Sequence, residues 1–370
     1  MASNLISHNS DLTLDVYFTE TVHQGSELKE IFRGSETFAV SRDVLVKSSP
    51  VFSTMLHSDG FFAEKKMRQV RVEAESITSM KIWLQILHCQ TPDYDVNLTE
   101  VWNLIAVCDK FNLVIDLLYK WFEIWYSKQP IEQWLIGTRY TGETHHFNED
   151  ARCLLYPTWR LDHPKGFLRV SRHVVYNSCY YVKEMSPVRR RADLHLPSRI
   201  IQQMNAARGR LKTIIFHALY RPLEELLLEN QNCCDKTGSD YQRALLETKA
   251  WPIERYGTAN SIATLLRRLR DFYYPTPITK CVTCPKDFQR VVKDLIMHTT
   301  FYFDGMCIDC MNQSKAKTQN EDTDYWLHRY LRQDEIVRGC RVESHRQPTW
   351  YFSFMGRRED MDKFRHKERD

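Results

Sequence analysis

Residues 38–56 read FAVSRDVLVKSSPVFSTML, and the hydrophobic period changes within this stretch. Residues 37–40 have the character of a strand, because Phe38 and Val40 alternate with smaller side chains. After Asp43 the apolar residues recur at intervals of three and four, which is the spacing of one helix face. Pro50 interrupts that pattern and is expected to limit or kink the helix. The stretch therefore predicts a strand that leads directly into helical structure.

The segments on either side extend this alternation of strands and helices. Residues 13–18 and 69–73 alternate apolar and polar side chains, as strands do. Helical spacing follows over residues 80–87, 101–111 and 117–125, and Asn97 precedes the second of these helices as a candidate cap. We therefore predict an α+β fold with helices dominating after residue 75. The predicted core of this part comprises Phe38, Val44, Leu45, Phe52, Leu56, Val70, Val72, Trp83 and Leu104.

Residues 12–125 resemble a BTB/POZ domain. In that family a strand ends in a short helix, a Leu and a Ser lie at fixed offsets, and a Phe packs inward before an exposed loop. Residues 38–56 carry this pattern, and residues 61–64 with the strand at 69–72 continue it. The chain departs from the family at Ser41, where His is common. It also departs at residues 22–33, which are expected to form an irregular polar insertion. The resemblance allows a homodimer through this domain, and the insertion disfavours the strand-exchanged form of it.

The resemblance implies a protein–protein adaptor or scaffold that performs no catalysis. Some members of the family bind a cullin of a ubiquitin ligase through a hydrophobic-x-Glu element, and Phe62-Ala63-Glu64 is similar to that element. Phe62 and Glu64 are therefore the predicted partner-binding residues. In the alternative interpretation they only shape the loop. Residues 1–16 lack the basic start and the long apolar stretch of a signal peptide, and no run reaches the roughly 18 uncharged apolar residues of a membrane span. The expected location is therefore the cytoplasm or the nucleus.

The rest of the chain is predicted to be a linker over residues 126–150, a helical region over 151–275, a zinc-binding element with a C-terminal segment over 276–356, and a charged tail over 357–370. Pro164 marks one helix start, and Pro222 is expected to start a short Leu-rich helix after a long one. This part more loosely resembles a group of filamentous-fungal BTB proteins, a resemblance that implies no activity. It is carried by residues 160–163, 205–211, 324–326 and 347–356.

Four of the eleven cysteines form two CxxC pairs separated by 22 residues. Two residues between thiolates let both sulfurs reach one ion, and two such pairs complete the closed four-sulfur set of structural zinc. The predicted ligands are Cys281, Cys284, Cys307 and Cys310. Buried thiols and a redox dithiol are the alternatives. Cys340, His345 and, more weakly, His298 are candidate substitutes for one ligand, and the cysteines without a CxxC partner are expected to be buried small hydrophobes.

Composition and motifs disfavour several classes of protein. The net charge of +4, from 51 basic and 47 acidic residues, makes neither nucleic acid nor a membrane the default partner. No Walker loop, GxGxxG, GxSxG or HExxH motif is present, so we predict that the protein is not an enzyme. A transcriptional or chromatin regulator is the alternative function, and the absence of a CxxC…HxxxH repeat disfavours it. Two further polar groups are predicted to lie in solvated loops: the pair His145-His146 and the three arginines at residues 189–191.

Overall fold

The computed structural model describes residues 4–24, 27–57, 62–131, 148–188, 191, 193–228, 235–274, 287–313 and 340–342. The chain divides into two units, each built from separate segments. The first unit comprises Met1–Glu132, Tyr156–His163 and Ser186–His195. The second unit comprises Gln133–Leu155, Pro164–Met185 and Leu196–Asp370.

A four-stranded sheet lies in the first unit, with the strand order β1-β3-β2-β4. Strands β2 and β3 are antiparallel, whereas β1 pairs with β3, and β4 with β2, in parallel. Leu14 lies between Phe38 and Val70 in this register, and all three side chains are buried. Successive side chains of a strand point to opposite faces of the sheet, so every second residue faces the core. The strands are β1 (Asn4–Leu5), β2 (Leu12–Gln24), β3 (Glu27–Val40) and β4 (Gln69–Glu73).

The prediction of an irregular insertion at residues 22–33 was wrong. Strands β2 and β3 continue to Gln24 and Glu27 as one antiparallel ladder, with a register shift at Phe18/Thr19. Polar composition suggested a loop, but strand pairing is a matter of backbone hydrogen bonds. β-branched residues such as Thr19 and Ile31 favour an extended backbone even where solvent is near.

Helices cover the sheet of the first unit, and their ends follow local signals. Pro50 separates the first two helices as predicted, because Ser49 is extended at φ −148° and its hydroxyl accepts a hydrogen bond from the Phe52 amide. Asn97 caps a later helix through the amide of Glu100. Eight of the nine predicted core residues are buried, and Val44 is half-buried. The helices are α1 (Arg42–Ser48), α2 (Pro50–Leu56), α3 (Ile77–Leu87), α4 (Leu98–Phe111) and α5 (Tyr119–Ser127).

The described residues from 148 onward are mainly helical, which with the sheet confirms the α+β class. Asp287 caps the helix that begins at Phe288, because its side chain accepts a hydrogen bond from the Arg290 amide. The expectation that Pro222 begins a new helix was wrong. It lies inside a continuous helix, in which Leu219 and Leu223 are buried on the same side, so packing outweighs one missing hydrogen bond. The helices are α6 (Asn148–Arg160), α7 (Pro164–Asn177), α8 (Ser198–Leu228), α9 (Asp235–Glu247), α10 (Ile253–Tyr256), α11 (Ile262–Arg270), α12 (Phe288–Thr300) and α13 (Ile308–Gln313).

No helix among the described residues combines the length and the apolar composition needed to cross a lipid bilayer.

Candidate metal centre

Helix α7 fixes the chain that leads to the second CxxC pair. The Tyr176 hydroxyl donates to the carbonyl of Thr299 at 2.7 Å and accepts from the amide of Phe303 at 3.3 Å. The Ser171 hydroxyl accepts from the amide of Met306 at 2.8 Å. These three contacts, all buried, hold the end of α12 and the loop after it along α7. The backbone immediately before Cys307 is therefore fixed by buried hydrogen bonds.

Gly305 allows this loop to approach α7 closely. Its φ of +112° is a conformation that L side chains rarely adopt. A Cβ atom built on it would lie 1.9 Å from the carbonyl oxygen of Leu168. Any other residue at this position would displace the loop that leads into the CxxC pair.

Three cysteine side chains converge at the start of α13. Cys307 and Cys310 are buried and one helical turn apart, since the amide of Met311 bonds to the Cys307 carbonyl at 3.0 Å. Cys340 lies 30 residues after Cys310 in the sequence but beside it in the structure. Its sulfur is 3.4 Å from Cys310 Sγ and 4.0 Å from Cys307 Sγ. All three sulfurs lie within 4.8 Å of one another. The arrangement joins two distant segments of the second unit.

The spacing of the sulfurs suits a metal ion. Thiolates about 2.3 Å from a tetrahedral zinc ion are roughly 3.8 Å apart, which lies inside the observed range. A disulfide would need the two sulfurs to be about 2.05 Å apart. The three cysteines form no disulfide and could hold one ion.

The electrostatics of the cluster oppose ionisation in the absence of a cation. Hydrogen bonding with Cys307 and burial raise the pKa of the Cys310 thiol far above its ordinary range. Burial is also the main cause that raises the pKa of Cys340 to about 11. A divalent ion reverses this balance, because a thiol that coordinates it releases its proton to solvent and binds as the thiolate.

An ion pair links the same two segments beside the sulfurs. The amide of Arg341 donates to Asp309 Oδ2 at 2.7 Å, and its guanidinium donates to Oδ1 from Nε at 3.0 Å and from Nη2 at 2.6 Å. The Asp309 side chain is 11% exposed, whereas that of Arg341 is 50% exposed. Each member of the pair is the chain neighbour of a clustered cysteine.

The structure brings together two of the four predicted ligands, Cys307 and Cys310. Cys281 and Cys284 lie outside the described residues, as does the candidate substitute His345. His298 is described, but its ring stacks on Tyr302 with centroids 5.4 Å apart and takes no part in the cluster. Cys340, a candidate substitute without a CxxC partner, joins the cluster. Sequence reasoning missed two residues of opposite charge, Asp309 and Arg341. Each lies directly beside a clustered cysteine in the sequence.

Other cysteines and charged residues of the sequence prediction have separate surroundings. Cys108 and Cys153 are buried as predicted, but Cys89 is exposed because it follows the last turn of α3. Arg191 was predicted to be solvated and is not. Its guanidinium donates to Asp193 at 3.0 Å and to Glu75 at 3.3 Å, which makes it a structural residue of the first unit. His145, His146, Arg189 and Arg190 lie outside the described residues.

The predicted partner-binding residues lie between α2 and β4. The Phe62 side chain is 51% exposed, and Glu64 is half-buried in a short 3₁₀ turn, Ala63–Lys66. Arg42 Nη1 donates to the carbonyls of Leu56 at 3.1 Å and of Glu64 at 3.5 Å, so the turn is attached to the end of α2. The role of Phe62 and Glu64 in binding stays a prediction.

No protein-family model matches the chain, and neither does any curated protein or solved structure. The BTB/POZ resemblance therefore stays a prediction from the sequence.

Proposed function

We propose that the protein is an adaptor that acts through protein–protein contacts, with a BTB/POZ-like first unit and a zinc-stabilised second unit. The observation that carries the proposal is the path of the chain from β3 into α2. Strand β3 ends directly before the short helix α1, Leu45 is buried, Ser49 caps α2, and Phe52 packs inward before the loop that contains Phe62. These are the features that the resemblance implies, and they occur in the implied order.

The proposed partner is a cullin, and the proposed contact is made by Phe62 and Glu64. An aromatic side chain that is exposed on a backbone held in place is typical of an interface anchor, because little conformational entropy is lost when it binds. Arg42 holds this turn through a main-chain carbonyl of Glu64, not through its carboxylate. Side-chain substitutions at both positions should therefore leave the turn intact and test binding alone.

The test is calorimetric titration of the purified full-length protein with a purified cullin N-terminal domain. Phe62→Ala and Glu64→Ala should each weaken binding by about 10-fold or more, as hot-spot truncations do. Phe301→Ala is the matched control, since that side chain is 61% exposed but belongs to the second unit. If the wild-type protein does not bind the cullin, the ligase form of the proposal is wrong. If Phe62→Ala binds as tightly as Phe301→Ala, the contact surface is wrong.

Zinc at the three-cysteine cluster is the second element of the proposal. Thiolate sulfurs are the preferred ligands of zinc in structural sites, and three of them already lie at suitable separations. A fourth protein ligand, for which Cys281 and Cys284 are the predicted candidates, would close the coordination sphere. A closed site has no position for a reactive water, so the metal would stabilise the fold of the second unit.

A further inference from the structure

We infer that Cys340 is the third ligand of the zinc ion and that Asp309 and Arg341 are the residues that position it. This inference rests on the proposed zinc centre. It assigns one ligand, Cys340, and one positioning residue, Arg341, from outside the two CxxC motifs, and a second positioning residue, Asp309, from within the second motif.

The placement of Cys340 needs an explanation that the CxxC spacing does not provide. Cys307 and Cys310 share one helical turn, so the backbone of α13 sets the separation of their sulfurs. Cys340 is 30 residues from Cys310, yet its sulfur is 3.4 Å from that of Cys310. Its neighbour Arg341 makes four hydrogen bonds with Asp309.

The contact between Arg341 and Asp309 acts on the main chain. One of the donors is the backbone amide of Arg341, which adjoins the carbonyl of Cys340 in the same peptide unit. The carboxylate that accepts it belongs to the residue directly before Cys310. A bond from one backbone to a short, largely buried side chain fixes the relative position of the two segments. Cys340 is therefore held within reach of Cys307 and Cys310 by contacts that need no metal.

The pair also balances charge beside the sulfurs. Three thiolates and one divalent cation carry a net charge of about −1. An unpaired Asp309 carboxylate, only 11% exposed, would add a second negative charge next to this site. The Arg341 guanidinium neutralises that carboxylate. Residues in contact with metal ligands commonly change metal affinity by about 10–100-fold when they are mutated.

The experiment uses the full-length protein and measures zinc by elemental analysis and by competition with a chromophoric chelator. Arg341→Gln and Asp309→Asn should each lower the zinc affinity by about 10–100-fold. Arg221→Gln is the matched control, because it breaks the exposed Arg221–Glu225 pair at 2.8 Å in the same unit and should leave the affinity unchanged.

Cadmium identifies the ligands independently, since each cadmium–thiolate bond contributes to an ultraviolet absorption band. Cys340→Ser should lower that band by the share of one sulfur, whereas Cys153→Ser, at a buried cysteine outside the cluster, should not change it. If the wild-type protein binds no zinc, the proposed centre and this inference both fall. If it binds zinc and Cys340→Ser keeps the full band, Cys340 is not a ligand, although the zinc centre stands. If Arg341→Gln binds zinc as tightly as Arg221→Gln, the positioning role is overturned.

Discussion

The rings of Phe52 and Phe111 stack with their centroids 4.9 Å apart and their planes 5° from parallel. Phe52 belongs to α2, and Phe111 is the last residue of α4. The Ser49 hydroxyl donates to the Phe111 carbonyl and accepts from the Phe52 amide. One residue thus satisfies both a helix start and a helix end beneath the stacked rings. The segment that predicted the fold is also the segment that joins these two helices.

Replacing Phe52 with Ala should destabilise the first unit by about 3–5 kcal/mol. The ring is 1% exposed, so its loss removes both the stack on Phe111 and the buried apolar surface. Urea denaturation measures the effect. Val51→Ala, in the same helix at a side chain that is 39% exposed, should change the stability by less than about 1 kcal/mol. An unchanged midpoint for Phe52→Ala would mean that the core has been misplaced.

Gly305→Ala should destabilise the second unit and weaken the metal centre. Backbone strain at a positive φ alone costs about 1–3 kcal/mol, and the new Cβ atom would also collide with Leu168. Gly209→Ala is the control, because no atom lies within 4 Å of the added Cβ and the site is inside α8. That change should stabilise the helix by about 0.5–1 kcal/mol. Thermal denaturation of both variants should therefore give shifts of opposite sign.

The second unit should lose stability in acid because of His173. The ring is 2% exposed, and burial lowers its pKa to about 4. The Asn177 amide nitrogen, which can only donate, lies 3.1 Å from Nδ1, so the neutral ring is the form that fits. The unfolded ring has a pKa of about 6.5, so the unfolded state takes up the proton first as the pH falls. The neutral His173 ring makes its full contribution to the free energy of unfolding above pH 6.5. That contribution declines by up to about 3 kcal/mol as the pH falls toward 4.

The measurement for His173 is the free energy of unfolding between pH 7 and pH 4. His173→Gln should flatten the dependence on pH, while lowering the stability at neutral pH. A wild-type stability that is constant over this interval would contradict the assignment of a neutral buried ring.

Removal of zinc should loosen the second unit locally. An ion that binds only the folded state contributes about 4 kcal/mol when its free concentration is about 1,000 times Kd. A chelator should therefore speed hydrogen exchange in α13 and at residues 340–342, whereas α4 in the first unit should be unaffected. In the Cys307→Ser variant, the amides of these segments should exchange rapidly with or without the chelator. Slow exchange in the chelated wild type would show that these cysteines are ordinary core residues.

Sequence reasoning predicted the features that depend on local chemistry. Pro50 and Asn97 mark helix boundaries because a cap or a break requires only the neighbouring residues. The buried positions in β4, such as Val70, follow from the period of two. These signals lie within one or two turns of the residue concerned.

The missed features depend on contacts between distant segments. Nothing adjacent to Gly305 in the sequence indicates that Leu168 will lie against it. The contact between Asp309 and Arg341 spans 32 residues, and that between Arg191 and Glu75 spans 116. Single charged residues in polar stretches resemble solvated surface residues, so only the fold reveals their partners.

The segmented construction of the first unit has a consequence for biosynthesis. Trp102 stacks on Tyr156 with centroids 4.9 Å apart, and Phe122 meets His163 edge-on at 5.6 Å. Tyr156 and His163 must therefore be synthesised before the rings of Trp102 and Phe122 are covered. Helix α7, which belongs to the second unit, is translated between two pieces of the first unit. The nascent chain cannot simply complete its N-terminal unit and then begin the next, so the two units must mature over the same interval of translation.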